Sequence, residues 1–147
     1  MKTALVSEGR CRLTLPHYNT GMLDITVPNV NERKRIPMRA IRAVAKRIAE
    51  TFLPDKIILF GSYAHGTPKP WSDVDLLVVM DTPEGSLAQM LAISRALSPH
   101  PFGIDVIAHS TDTIDRRITA GDAFLKDIIT RGRILYERRK SKVGRKG

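Results

Sequence analysis

Residues 56–80 read KIILFGSYAHGTPKPWSDVDLLVVM. An apolar run ends abruptly at a glycine and a serine, and a turn-rich segment leads from there into a second apolar run. Both runs are short, partly β-branched and bounded by Gly and Pro, which predicts two buried strands. Because side chains alternate along a strand, Asp73 and Asp75 share one face, with their Cα atoms roughly 7 Å apart. That spacing suits two carboxylates that hold divalent cations between them.

A third acid and a glycine-serine turn extend this pattern. Asp105 lies inside another apolar run, where a lone carboxylate is costly unless it is paired or binds a metal. Three carboxylates from neighbouring strands predict two cations about 4 Å apart, the arrangement used for in-line phosphoryl displacement. Gly61 lets the backbone turn sharply and lets a ligand approach it, and the Ser62 hydroxyl with nearby N–H groups forms an anion nest. Together these features predict a site for a nucleoside triphosphate with Mg²⁺.

The order of these motifs resembles the DNA polymerase beta-like nucleotidyltransferase superfamily, and within it the minimal nucleotidyltransferases. The resemblance spans residues 36–136 and rests on Gly61-Ser62, Gly66, the stretch Ser72-Asp73-Val74-Asp75-Leu76 and a lone Asp on a later strand. Family members often have Arg before the second Gly, where this chain has His65, so no phosphate contact is expected there. The resemblance implies that Asp105 also helps to activate the acceptor hydroxyl. It implies two Mg²⁺ ions on the catalytic residues Asp73, Asp75 and Asp105, and ATP bound through Gly61, Ser62 and Ser72.

The resemblance also implies an activity and a partner. The expected reaction moves a nucleoside monophosphate, AMP from ATP, to a hydroxyl and releases pyrophosphate. Many minimal nucleotidyltransferases are encoded beside a HEPN-domain RNase and act as its antitoxin, in some cases by transferring AMP to a tyrosine of that toxin. We therefore expect a protein adenylyltransferase of a toxin–antitoxin pair. Three alternatives stay open: a small-molecule transferase of the aminoglycoside type, a non-catalytic antitoxin that neutralises its partner by contact, and an RNA-binding module.

Composition says more about the number of domains, the kind of partner and the cellular compartment than about the function. At 147 residues the chain is long enough for one domain. Its 24 Lys and Arg against 15 Asp and Glu give a net charge of +9, which favours anionic partners without choosing among them. The single cysteine, Cys11, excludes an internal disulfide and indicates a reducing compartment. With no apolar run near the roughly 20 residues that span a bilayer and no signal peptide, a cytoplasmic protein without a membrane contact is expected.

The pattern predicts three segments. Residues 1–31 form a weakly structured extension with one or two short strands, in which Met22 is an alternative start. Residues 32–137 form the nucleotidyltransferase domain, and residues 138–147 form a disordered basic tail for which RNA contact stays open. The fold class is α/β or α+β, a mixed sheet of four or five strands backed by helices on one side, with the active site at the open edge. Within the domain we predict helices at 36–52, 86–97, 111–118 and after Asp122, a helical turn at 63–65, and strands at 56–60, 73–79, 103–108 and 134–136.

Other candidate motifs are weaker. The spacing from Gly61 to Gly66 matches a Walker-type phosphate loop, but Thr67 and Pro68 replace the required Lys and Ser/Thr. Trp71 is expected either to pack on its own domain or to stack on a base or a partner. Zinc is not expected, because no ligand spacing links His17, His100 and His109.

Overall fold

The computed structural model describes residues 27–29 and 31–140. Every helix and strand predicted for the domain is present, and each end lies within two residues of its predicted position. The predicted helical turn is a four-residue helix. In chain order the elements are α1 (Met38–Phe52), β1 (Lys56–Phe60), α2 (Ser62–His65), β2 (Val74–Val79), α3 (Ser86–Ala96), β3 (Ile104–His109), α4 (Thr111–Thr119), α5 (Ala123–Arg131) and β4 (Arg133–Glu137).

The four strands form one mixed sheet in the order β3-β2-β1-β4. β1 lies antiparallel to both β2 and β4, whereas β2 and β3 run parallel. A parallel pair needs a crossover connection, and α3 supplies it. The predicted mixed sheet is therefore confirmed, with β2 and β1 at its centre and β4 as the predicted edge strand.

Helices cover both faces of the sheet, so the expectation of helices on one side only was wrong. On one face, Ile57, Leu59 and Leu76 pack with the buried stripe of α1 and with Ile93 of α3. The other face packs against α4 and α5, and its buried residues are Ile58, Leu77, Val79, Ile114, Leu125 and Ile128. The apolar spacing of α4 and α5 predicted that they would be helices. It carried no signal for the face on which they would pack.

Capping residues fix where the helices begin and end. Ser110 and Asp122 cap α4 and α5, because their side-chain oxygens accept hydrogen bonds from the N–H groups of Thr113 and Leu125, at 3.2 and 2.9 Å. α1 ends at Leu53, which adopts a left-handed conformation. These residues therefore set the start of α4 and α5 and the end of α1.

Several predictions lie outside the described residues. They are the short strands at Leu13, Leu15, Leu23 and Ile25, the alternative start at Met22, and the tail from residue 141 onward. The proposed boundaries at residues 31 and 138 likewise stay predictions. Across residues 27–29 and 31–140, no helix is both long and apolar enough to cross a membrane.

Candidate active site

Three acidic residues lie on the sheet face that α4 and α5 cover. Asp75 stands opposite Phe60 across the β1–β2 pair and beside Asp105 in the register of β2 and β3. Asp73 precedes β2 by one residue and shares the face of Asp75, while Val74 between them is fully buried on the other face. Asp73 and Asp105 are exposed, and Asp75 is partly buried. The fold therefore gives the three predicted acids one common side of the sheet.

The environment of Asp75 is unfavourable for a negative charge. Burial, followed by the neighbouring charges of Asp105 and Asp73, raises the pKa of the Asp75 carboxyl to about 6. A carboxyl with a pKa raised by burial and by like charges is frequent at functional sites. A bound cation would offset both causes, because it compensates the lost solvation and the repulsion together.

Two glycines make room for the carboxylates. Gly61 has φ of +71° and ψ of −154°, a backbone conformation essentially restricted to glycine, and a Cβ there would overlap the Asp75 carboxylate. A Cβ on Gly103 would overlap the carboxylate of Asp73. The sequence predicted the need for glycine at position 61. It did not single out Gly103, although a glycine directly before the strand that carries Asp105 was the available signal.

The donor chemistry fits a divalent cation. Three carboxylates from adjacent strands supply the oxygen ligands that Mg²⁺ prefers. Within the described ranges, however, no three His, Cys, Asp or Glu side chains are close enough together to form a ready-made metal site. Ionised carboxylates repel one another when no cation lies between them. The residues that would hold a metal here are Asp73, Asp75 and Asp105.

The glycine-serine turn stands next to these acids. Ser62 begins α2, and the Gly61 carbonyl accepts hydrogen bonds from the N–H groups of Ala64 and His65, at 3.1 and 3.2 Å. The first N–H groups of a helix have no partner within it and favour an anion. Tyr63 is buried, and its hydroxyl accepts a 2.9 Å hydrogen bond from the Ile36 N–H, which fastens the turn to the start of α1.

Comparison with known proteins assigns this chain to a family. Residues 41–136 match the family model described as the nucleotidyltransferase domain. The chain belongs to this nucleotidyltransferase family. A relative from Methanocaldococcus jannaschii, named "Putative protein adenylyltransferase MJ0604", is 32% identical over 81 residues, which make up 55% of this chain and 77% of the relative.

A solved structure of low sequence identity shows the same fold. The crystal structure of "a putative nucleotidyltransferase from Sulfolobus solfataricus" matches with a TM-score of 0.53 and 19% identity, over 78% of this chain and 93% of that one. Another solved structure, described as a toxin–antitoxin with AMP-PNP, matches with a TM-score of 0.43 and 20% identity, over 67% and 74% of the two chains. The second likeness is too distant to support an argument about this nucleotidyltransferase.

In this nucleotidyltransferase, Ser72 shapes the loop that leads into Asp73. Its hydroxyl accepts a hydrogen bond from the Lys69 N–H, and its own N–H donates to the Lys69 carbonyl, both at 2.9 Å. Because the Ser72 hydroxyl accepts in this contact, it can still donate its own proton to a ligand. The predicted contact of Ser72 with a nucleotide stays a prediction. Trp71 at the tip of this loop is 69% exposed, and the Lys69 ammonium lies over its ring at 5.6 Å. Trp71 is therefore not packed into its own domain.

An aromatic pair beside the acids was missed by sequence reasoning. Phe124 of α5 meets Phe60 of β1 edge to face, with ring centroids 5.7 Å apart. Phe60 is the cross-strand partner of Asp75, so the pair forms an apolar wall next to that carboxylate. Phe124 is 55% exposed and presents part of its ring to solvent. Its helical spacing indicated only an apolar position, because the contact depends on how α5 packs.

A network of polar side chains at the far end of β3 is separate from the three acids of the candidate site. The His109 Nδ1 lies 3.2 Å from the Ser86 hydroxyl, and its Nε2 lies 3.1 Å from the Arg117 guanidinium, which pairs with Asp122 at 2.8 Å. Burial and then the charge of Arg117 lower the pKa of His109. His109 shares the face of Asp105 but lies four residues along β3, roughly 13 Å away. This network of side chains therefore links α3, β3 and α4 and does not belong to the candidate site.

Proposed function

We propose that the protein transfers AMP from ATP to a hydroxyl of a partner protein, using divalent cations held by Asp73, Asp75 and Asp105. The observation that carries the proposal is the placement of these acids on one sheet face, with the pKa of Asp75 raised by burial and by its two neighbours. The relative named as a protein adenylyltransferase supports both AMP as the transferred group and a protein as the acceptor.

Each part of the site has a role in this reaction. Bound Mg²⁺ would neutralise charge on the triphosphate and on the departing pyrophosphate. Gly61 lets the backbone come close to the phosphates, and the Ser62 hydroxyl donates a hydrogen bond to them. Asp105, which is exposed, takes the proton of the acceptor hydroxyl. The acceptor oxygen then bonds to the α-phosphorus as the bond from that phosphorus to pyrophosphate breaks.

The identity of the partner rests on the motif resemblance. We propose a HEPN-domain toxin, whose modification makes this chain its antitoxin, in the cytoplasm where ATP is available. RNA contact by the basic segment that starts at Arg138 is a separate proposal, supported by charge alone. It predicts RNA binding that falls steeply with salt and survives loss of Asp73 and Asp75.

The test is transfer to the partner encoded beside this chain. The full-length protein is incubated with Mg²⁺, ATP labelled in its α-phosphate and the purified neighbouring HEPN-domain protein. We expect the partner to gain label and the mass of AMP, and to lose RNase activity. Labelling should disappear with EDTA and in the double variant Asp73→Asn with Asp75→Asn.

A matched carboxylate substitution outside the site controls this experiment. Asp115 of α4 is exposed and away from the sheet, so Asp115→Asn should label the partner as the wild type does. Equal labelling by the double variant would reject the metal site. A double variant that transfers nothing yet still blocks the RNase would instead establish a non-catalytic antitoxin.

A further inference from the structure

The outer edge of β3 lies beside the candidate site. In the described part of the chain, β3 is the terminal strand of the sheet and pairs only with β2. A terminal strand presents backbone N–H and C=O groups along its outer edge, and an extended peptide can pair with them as an added strand. β2 pairs with the inner edge of β3 and places Asp75 next to Asp105. The outer edge of β3 therefore lies close to the acids.

A groove follows the same edge, and five of its eight lining residues are apolar. It lies between α3 and β3 and has a volume of about 190 Å³. Leu87 and Leu91 stand one helical turn apart on α3 and are 69% and 48% exposed, and α3 buries only Ile93 fully among its large side chains. The groove is lined by Leu87, Met90, Leu91, Ser94, His100, Ile104, Asp105 and Val106.

The alternation of β3 connects the groove with the acids. Ile104 and Val106 pack on the side of α1 and α3, whereas Asp105 between them belongs to the opposite face and borders the groove where it meets the strand. A strand added along β3 alternates in the same way. One of its side chains would enter the groove, and the next residue in sequence would stand on the face of Asp105.

We propose that the acceptor protein pairs with the outer edge of β3 as an added strand. An apolar side chain of that segment fills the groove, and the hydroxyl residue that receives AMP is its immediate neighbour in sequence and faces Asp105. This inference rests on the proposed function. It names the surface that would present the acceptor hydroxyl to Asp73, Asp75 and Asp105.

The size of the groove favours a polypeptide over a small molecule. Pockets for drug-sized ligands have volumes of about 300–1,000 Å³, so a groove of about 190 Å³ suits a single side chain. A larger cavity of about 450 Å³ lies between α1 and β4, at the opposite edge of the sheet, and is lined in part by Lys46, Leu53 and Tyr136. None of the three acids lines it, so it does not serve the acceptor.

The first test reads the acceptor sequence. A library of short peptides centred on Tyr, Ser or Thr is incubated with the full chain, Mg²⁺ and labelled ATP, and the labelled peptides are sequenced. We expect Leu, Ile, Met or Phe to be enriched immediately before or after the modified residue. Equal residue frequencies at those two positions would overturn the inference, and so would a protein that binds ATP but labels no peptide. Failure to bind ATP would overturn the proposed function instead.

The second test uses groove variants with a matched control. Leu87→Asp and Leu91→Asp should raise the KM for the best peptide about tenfold or more and leave the KM for ATP unchanged. Leu53, at the opposite edge, is 64% exposed, so Leu53→Asp should change neither constant. Unchanged peptide KM in the groove variants would overturn the inference. A lowered melting temperature with unchanged peptide KM would do the same, and would show that the chain covers its own groove.

Discussion

The Asp73 carboxylate occupies the space in which a side chain at position 103 would lie. Gly103→Ala should therefore displace this carboxylate, and the φ of Gly103 lies outside the left-handed region, so the substitution adds no backbone strain. Misplacing a catalytic group by about 1 Å costs on the order of 100-fold in rate. We expect kcat/KM for AMP transfer to fall by about that factor with little change in melting temperature. Wild-type transfer by Gly103→Ala would contradict the role of Asp73.

Gly61→Ala should affect both stability and activity. Its backbone conformation disfavours any side chain, at a cost of about 1–3 kcal/mol, and the added Cβ would also overlap the Asp75 carboxylate. Gly85 provides the matched control, because it has φ of +99° and ψ of 156° but open space around its Cβ position. We expect both alanine variants to unfold at lower denaturant concentration. Only Gly61→Ala should also lose AMP transfer, and similar activities in the two variants would reject the contact with Asp75.

The raised pKa of Asp75 predicts how stability changes with pH. Between about pH 3.8 and 6 the unfolded chain has lost the Asp75 proton while the folded chain retains it, so this residue destabilises the fold increasingly as pH rises through that window. Because the carboxyl is only partly buried, solvent screening limits the effect to about 1 kcal/mol. Asp75→Asn should therefore unfold at higher denaturant concentration than the wild type at neutral pH, and not below about pH 4. Asp115→Asn should show no such difference.

Magnesium should stabilise the protein more strongly at neutral than at acidic pH. A metal ligand must be deprotonated, and Asp75 carries its proton over much of the range below its pKa of about 6. We expect Mg²⁺ to raise the melting temperature more at about pH 7.5 than at about pH 5, by mass action on the folded state. The rise should disappear in Asp75→Asn. An equal rise at both pH values, or in the variant, would place the cation elsewhere.

Local patterns were sufficient to predict the elements and the common face of the acids. Asp73 and Asp75 share a face because they are two residues apart, which is a property of any extended chain. The apolar run around Asp105 predicted a strand, and the parallel pairing of β2 and β3 then placed Asp105 beside Asp75. The predicted roles of Ser62 and Ser72 in binding a nucleotide stay predictions.

Features that depend on packing between distant segments could not be predicted. The spacing of apolar residues in α4 and α5 predicted two helices. The face of the sheet on which these helices pack depends on the whole sheet. For the same reason the contact of Phe124 with Phe60, and the groove beside Leu87, left no mark in the local sequence. The position of Gly103 directly before β3 was a signal in the sequence. The reason that glycine is needed there depends on where the Asp73 carboxylate lies.

The order of the strands also governs how the molecule can be handled. β4 and β3 form opposite borders of the sheet, with two strands between them, so the chain leaves β4 roughly 14 Å from the border that carries Asp105. A fluorophore, affinity tag or solid support attached at Glu137 itself should therefore sit on the side of the sheet away from Asp105 and leave the border that carries this acid open to solution.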